Sequence, residues 1–440
     1  MSDYYCLPFS THPLRDSLYD ELHARPFHIV TTPQQLSHLA FLALPPELER
    51  AFELVCDLCR RYSVDQPAPD AAFFQQDLGD FSVRWERHME FYSLTFLLPR
   101  AAGDEPFRNP VIDLLPGDWM ASLPGQAVTA FHLVVGGEDL SVTPEALTRY
   151  FEGQWMVVSQ PKGGKALLCT AFKLHTNGFG RFLIQHRGLS DYQTGRLVQR
   201  VIEIETYRLL AQLSLPLAKR IAPDLGKMDQ QLVEMLGRLC RLEGTDETET
   251  KRDLLQNLFL LSARLETYRA ETNYRFAATR AYHDLVITRL KNIREEAVEG
   301  HLTVAEFMTR RLTPGLRTCE ATQNRMEDLS RRIERAGDLM RTRVNLVLQE
   351  QNKSLLAAMD RRGRLQFRLQ ETLEGLSVAA ISYYTVGLLS YILSGLPLER
   401  WRLNKSAVLA AMVPLVVVGV WWLIRRIKHR LIKAPLRGIG

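Results

Sequence analysis

In DFSVRWERHMEFYSLTFLLP, Phe81, Val83 and Trp85 alternate with polar neighbours, and a short turn leads to an apolar, β-rich run over 91–98. A period of two in aromatic and β-branched residues predicts strands. The same pattern marks FHLVVGG at 131–137, then WMVVSQ, ALLCTAFKLH and FGRFLIQH, with turns at PKGG (161–164) and TNG (176–178). HIVTTPQQLSHLAFLAL precedes a helical pattern at about 46–62, and Pro- and Gly-containing linkers fill 100–127. These elements predict an α+β fold, a mixed-sheet α/β domain over 1–190. Gly163-Gly164-Lys165 lacks the spacing of a phosphate loop and precedes a strand, so it reads as a hairpin turn.

From Ser190 the period changes to that of helices. One helix is expected over 191–214, stopping at Pro216, and a second over 228–242. Thr245-Asp-Glu-Thr-Glu supplies caps and early acids for a long helix over 247–297. Thr303 and Glu306 form a capping box for a short one. Beyond Pro314 the helical pattern reaches the apolar C-terminal region with only Gly337, Gly363 and Gly375 as weak points. Such a helix, about 80 residues long, is far beyond a globular one. Residues 191–375 are therefore expected to form a helical, coiled-coil stalk.

Two segments have the length and composition to cross a bilayer. Residues 376–396 and 406–424 contain no formal charge, and each covers roughly 30 Å as a helix. The nine residues PLERWRLNK join them into a hairpin that returns the chain to its starting side. Trp401 and the Trp421-Trp422 pair suit the interfaces. The tail 425–440 is basic, with Arg425, Arg426, Lys428, Arg430, Lys433 and Arg437, and Arg361, Arg362, Arg364 and Arg368 precede the first span. The positive-inside rule then predicts that both termini face the cytoplasm.

Composition adds little beyond this. The chain of 440 residues is 46% hydrophobic and 24% charged, with a formal charge of +5 concentrated near its end. The N-terminus has no basic region followed by an apolar run, so no cleavable signal peptide is expected. Six cysteines (Cys6, Cys56, Cys59, Cys169, Cys240 and Cys319) lack disulfide-framework spacing, which suits a reducing compartment. Cys56-Asp57-Leu58-Cys59 falls inside a helical pattern and has no second pair, so it reads as two helix cysteines.

One stripe connects stalk and membrane. Steps of four and three from Asn345 pass through Gln349, Asn352, Leu356, Met359, Gly363, Gln366, Gln370 and Leu373. They continue through Ser377, Ala380, Tyr384, Gly387, Tyr391 and Ser394. Such steps share a face of a supercoiled helix. The first nine positions carry no charge in a charge-rich stretch. Two readings stand: a ring of identical helices lining a polar, uncharged column, or a parallel coiled coil whose amides fix register.

HPLRDSLYDELHARP (12–26), FSVRWERHMEFYSLTF (81–96) and LSDYQTGRLVQRVIEIETYRLLAQLSLP (189–216) resemble a bacterial family of uncharacterised membrane-anchored proteins. That resemblance covers essentially the whole chain and implies topology. The order of parts, α/β domain, helical middle, very long helix entering the first of two spans, short loop and basic tail, is similar to CorA-type divalent cation channels. This resemblance implies a homo-oligomer, pentameric in those channels. Its pore would be lined by Asn345, Asn352, Met359, Gln366, Leu373, Ser377, Ala380, Tyr384, Gly387, Tyr391 and Ser394, with a divalent cation as cargo. Where those channels carry Gly-Met-Asn, this chain has Ser394-Gly395-Leu396-Pro397.

Other chemistry finds less support. His12, His23 and His28 lie near Arg15, Glu21 and Arg25, but Pro26 keeps His23 and His28 off a common helix face. They read as a hydrogen-bonded corner, with a metal or anion site as the alternative. No nucleophile, base and orienter arrangement is visible, nor GxSxG or HExxH, so no enzyme is expected. Mixed charges at helical spacing with few interleaved aromatics argue against nucleic acid. The sequence thus supports a lipid-embedded oligomer that passes a cation. The alternative is a membrane-anchored scaffold or sensor whose cytoplasmic domain binds a partner.

Overall fold

In the computed structural model, residues 9–15, 18–19, 29–69, 71–101, 103–241, 248–394 and 405–432 are described. The chain divides into two compact units, 1–337 and 338–440.

The first unit is organised by a sheet of nine strands. They are β1 (Gln34–Leu42), β2 (Phe73–Asp77), β3 (Ser82–Arg87), β4 (Phe91–Pro99), β5 (Gln126–Gly136), β6 (Val157–Gln160), β7 (Ala166–Thr170), β8 (Gly180–His186) and β9 (Glu296–Ala297). Their order is β2-β3-β4-β1-β5-β8-β7-β6-β9. Every pairing is antiparallel except β5 with β8, so the sheet is mixed. The central strand β1 is buried almost throughout, which requires layers on both faces.

One face is covered by α1 (Pro45–Arg61), a 3-10 turn at Val111–Leu114, and the short helices α2 (Gly117–Ala121) and α3 (Pro144–Tyr150). Leu39, Val83, Trp85, Leu94 and Phe96 pack there against Leu48, Ala51, Val55 and Leu58 of α1, and against Trp119. Trp119 is fully buried because its indole N–H donates to the Leu54 carbonyl at 2.8 Å, leaving no orphan polar atom. Further along, Val134, Val158, Cys169 and Leu183 meet Ala146, Leu147 and Tyr150 of α3.

The opposite face is covered by α4 (Asp191–Gln212), the C-terminal part of α6 (Thr248–Ile293) and α7 (Val304–Arg311). Leu36, Phe131, Leu133 and Ile184 of the sheet pack with Leu197, Val201, Val286, Ile293 and Met308. Ser190 and Gln193 make a capping box that starts α4, and Thr303 with Glu306 makes the expected one for α7. The expected boundary at 190 separates sheet from helices, yet the compact unit continues to 337. Its reason is physical: α4 and α6 bury the second sheet face, and β9 pairs with β6 at the sheet edge.

Helix α5 (Ser214–Arg241) differs from expectation. It begins ahead of Pro216 and runs through both that residue and Pro223. Pro216 falls in the first helical turn, where the missing N–H would have no partner in any case. Asp229 on α5 binds Arg325 at 3.0 Å and Arg332 at 2.6 Å, both on α8 (Thr313–Ser394). Asp224 accepts from Tyr268 at 2.7 Å and Arg264 at 3.1 Å, tying α5 to α6.

The second unit contains the remainder of α8 and α9 (Lys405–Ile432). Helix α8 is 82 residues long and contains an apolar window of mean hydropathy 1.4. In α9 the 19 residues Leu409–Ile427 reach 1.7, and none of that window is buried. Both helices are long and apolar enough to cross a membrane. The connecting loop with Trp401, and the tail beyond 432, lie outside the described residues.

Candidate functional site

Helix α8 needs no partner to close its own backbone hydrogen bonds, but it exposes what a lone soluble helix would not. Leu346, Leu348, Leu355, Leu356, Met359, Leu365, Phe367, Leu369, Leu373 and Leu376 are all exposed within one chain. Exposed apolar side chains at this density along one helix mark an interaction site.

Of the eleven predicted pore residues, Asn345, Asn352, Met359, Gln366, Leu373, Ser377, Ala380, Tyr384, Tyr391 and Ser394 are exposed. Gly387 is half-buried, and a Cβ added there would meet nothing within 4 Å. One helix carries them all in line, and a single chain sets no pair of them across a gap. A strict seven-residue repeat drifts about 20° per heptad on a straight helix. From Asn345 to Ser394 that amounts to about 140°, so holding the stripe against one axis requires a left-handed supercoil.

Four hydroxyls of the apolar segment bond within their own helix, whereas the buried Ser382 hydroxyl has no hydrogen-bond partner. Ser377 donates to Leu373 O at 2.8 Å and Thr385 to Ile381 O at 2.7 Å. Ser390 donates to Gly387 O and Ser394 to Ser390 O, both at 2.8 Å. Each hydrogen is satisfied locally, while the oxygens retain acceptor capacity for a further partner.

A second stripe, missed in the sequence, lies one residue earlier in each step. It passes through Val344, Leu348, Gln351, Leu355, Ala358, Arg362, Leu365, Leu369, Thr372 and Leu376. Its steps are those of a coiled-coil seam, and its single charge is Arg362. The amide stripe therefore runs beside an apolar seam, and the two together occupy roughly half of the helix circumference. The clue was available: counting apolar residues in neighbouring registers, rather than uncharged ones in one, would have found it.

The other predicted constellations are quickly placed. His12 Nδ1 accepts from the Leu14 N–H at 3.1 Å, an ordinary local turn contact. Glu21, His23, Arg25 and His28 lie outside the described residues. Cys56 and Cys59 sit in α1, where burial and the neighbouring Cys56 push the Cys59 thiol up to about 11. Among the described residues no group of three or more His, Cys, Asp or Glu is arranged to hold a metal ion.

No protein of curated function matches the sequence. The chain belongs to the family described as protein of unknown function (DUF3422), whose profile matches residues 10–431.

Proposed function

For this member of a family without assigned activity, we propose a membrane-embedded homo-oligomer of CorA-like architecture that conducts a cation along the α8 bundle. The carrying observation is the adjacency, on one exposed helix, of an apolar seam and an uncharged amide-and-hydroxyl stripe. Seams such as Leu348, Leu355, Leu365 and Leu369 bury against neighbouring copies. The adjoining stripe then turns Asn345, Asn352, Gln366, Ser377, Tyr384, Tyr391 and Ser394 toward an enclosed column.

Amide and hydroxyl dipoles replace part of an ion's hydration without trapping it as a full charge would. Met359 and Leu373 form apolar constrictions between polar layers, and Ala380 and Gly387 leave room within the span. The cargo is a divalent cation in the channels this architecture resembles. Lacking their Gly-Met-Asn mouth, this chain leaves ion choice to the tyrosine and serine layers. Orientation follows the basic residues flanking the spans, with both termini on the cytoplasmic side of a bacterial inner membrane.

The test is cation flux into liposomes containing the purified chain. Mg²⁺, Co²⁺, K⁺ and Na⁺ are each supplied outside. Gly387→Leu and Tyr391→Leu should abolish flux without changing oligomer size, and no flux with any of these ions overturns the reading.

A second reading is favoured by the internally bonded hydroxyls of Ser377, Thr385, Ser390 and Ser394. Hydroxyls bonded within their own helix in this way can lie in lipid, as in a plain anchor for a cytoplasmic scaffold or sensor. That reading requires biological function to survive exchange of 376–424 for an unrelated hairpin.

A further inference from the structure

Between the sheet and its helical cover lies a cavity of about 370 Å³, within the first compact unit. Its floor comes from β1, β3 and β4, and its walls from α4 and α6. An ordinary sheet–helix interface is apolar, whereas here a polar row crosses the sheet: Arg84 opposite Thr95, and Thr95 opposite His38. His38 is buried and bonds Thr95 Oγ1 at 2.8 Å and Thr206 Oγ1 at 3.1 Å. Arg84 is 3% exposed, gives its Nε–H to Glu86 at 2.7 Å, and leaves both terminal nitrogens without a hydrogen-bond partner.

The rim is cationic. Arg196, Arg200 and Arg289 line the opening, and Lys162 and Arg294 lie close enough to repel them. Burial, then Arg200, Arg196 and Arg294, lowers the Lys162 pKa. Burial, then Arg196 and Arg289, lowers that of Arg200. Glu86 pairs with Arg84, Glu203 accepts from Arg289 and Gln199, and Arg200 donates to the Asn292 carbonyl at 3.0 Å. Counting Arg84, four arginines stand against two carboxylates, a cationic excess that favours an anion.

Shape and lining narrow the class. The volume lies within the range of small-molecule sites and exceeds the need of a bare inorganic ion. The His88 ring stacks on Phe91 at 4.0 Å, and Tyr207 stacks on Tyr282 at 5.6 Å, so flat surfaces line the floor and wall. Ser93, Gln199 and Asn292 add neutral hydrogen-bonding groups. Arginine forks match phosphate oxygens in pairs, which a single carboxylate exploits less fully.

We propose that this cavity binds a phosphate-bearing organic anion of nucleotide size, its phosphates at Arg196, Arg200 and Arg289 and its organic part over the polar floor. The site is independent of ion conduction, so either can fail alone.

The test is calorimetric titration of the full chain in detergent, at constant ionic strength, with pyrophosphate and with adenosine triphosphate as probes. Both should bind, the nucleotide more tightly. Arg200→Gln and Arg196→Gln should each weaken binding tenfold or more, while Arg269→Gln, on the exposed Glu266 pair, should not. Without probe, the two cavity variants should keep the parent's far-ultraviolet circular dichroism. Absence of binding by either probe at millimolar concentration overturns the site. Affinity equal to the parent's in both variants does so too. Binding of pyrophosphate but not the nucleotide overturns the organic part.

Discussion

Arg275 on α6 gives both terminal nitrogens to Glu90, at 2.8 and 3.1 Å, across 185 residues of sequence. Tyr282, two turns further along, donates to the same carboxylate at 2.6 Å. Glu90 is buried just ahead of β4, and its own carbonyl accepts from Ala43 after β1. One carboxylate thus fastens the long helix α6 to the centre of the sheet. Arg275→Ala leaves a buried charge with only tyrosine hydroxyls, those of Tyr274 and Tyr282, as donors and should cost on the order of 3 kcal/mol in denaturant unfolding. Glu90→Gln, which keeps the shape and removes the charge, should cost less.

The two buried imidazoles of the sheet set an acid limit on stability. His38 and His132 are both depressed from 6.5 to about 3, chiefly by burial and then by Arg84 and Arg181 respectively. Unfolded, each takes a proton near 6.5, whereas folded each stays neutral to about 3. Their contribution is therefore complete above 6.5 and is lost as pH falls toward 3. At pH 5 the loss should be about 2 kcal/mol per histidine. Unfolding free energies measured from pH 7 to 4 should fall steeply, and His38→Gln should flatten that slope.

The two stripes of α8 should respond differently to substitution. Leu365→Asp combined with Leu369→Asp places charge in the apolar seam and should dissociate the oligomer, read by light scattering in detergent. Gln366→Leu, on the adjoining stripe, should leave its size unchanged. Were Gln366→Leu the disruptive change, the amides themselves would be the packing core, and the helices would enclose no wet column.

Thiol chemistry offers a simple check on the CxxC pair. Burial raises Cys56, and pushes Cys59 to about 11 and Cys169 to about 12, so none is a thiolate at neutral pH. Iodoacetamide followed by peptide mass spectrometry should label Cys56 slowly and leave Cys59 and Cys169 unmodified until the protein is unfolded.

Much of this architecture could be read from local patterns. Alternation predicted β3 and β4, the Thr303–Glu306 box predicted α7, and the lack of breakers after Pro314 predicted α8 close to its 82 residues. What escaped depends on distant partners. The helix expected to stop at Pro216 does end, at Gln212, but a new one starts at Ser214 with Pro216 in its first turn. Glu296–Ala297 has no strand character of its own and is drawn into the sheet by the open edge of β6. Arg84 and Glu86 are polar neighbours of the alternating apolar positions, and it is α4 and α6, arriving a hundred or more residues later, that enclose Glu86 together with His38. The eleven stripe residues were legible as a line on a helix, but the seam beside it was not weighed.

The late return of β9 and α6 to the sheet also sets the order in which the protein can mature on the ribosome. Once β8 has emerged at His186, roughly 100 further residues must be made before α6 is complete. At 5–20 residues per second that is on the order of 5–20 s, during which one broad apolar sheet face and the β6 edge stay uncovered. A nascent chain at that stage presents a natural client for a holding chaperone. Ribosome stalling between residues 190 and 290 should then promote aggregation far more than stalling after 312.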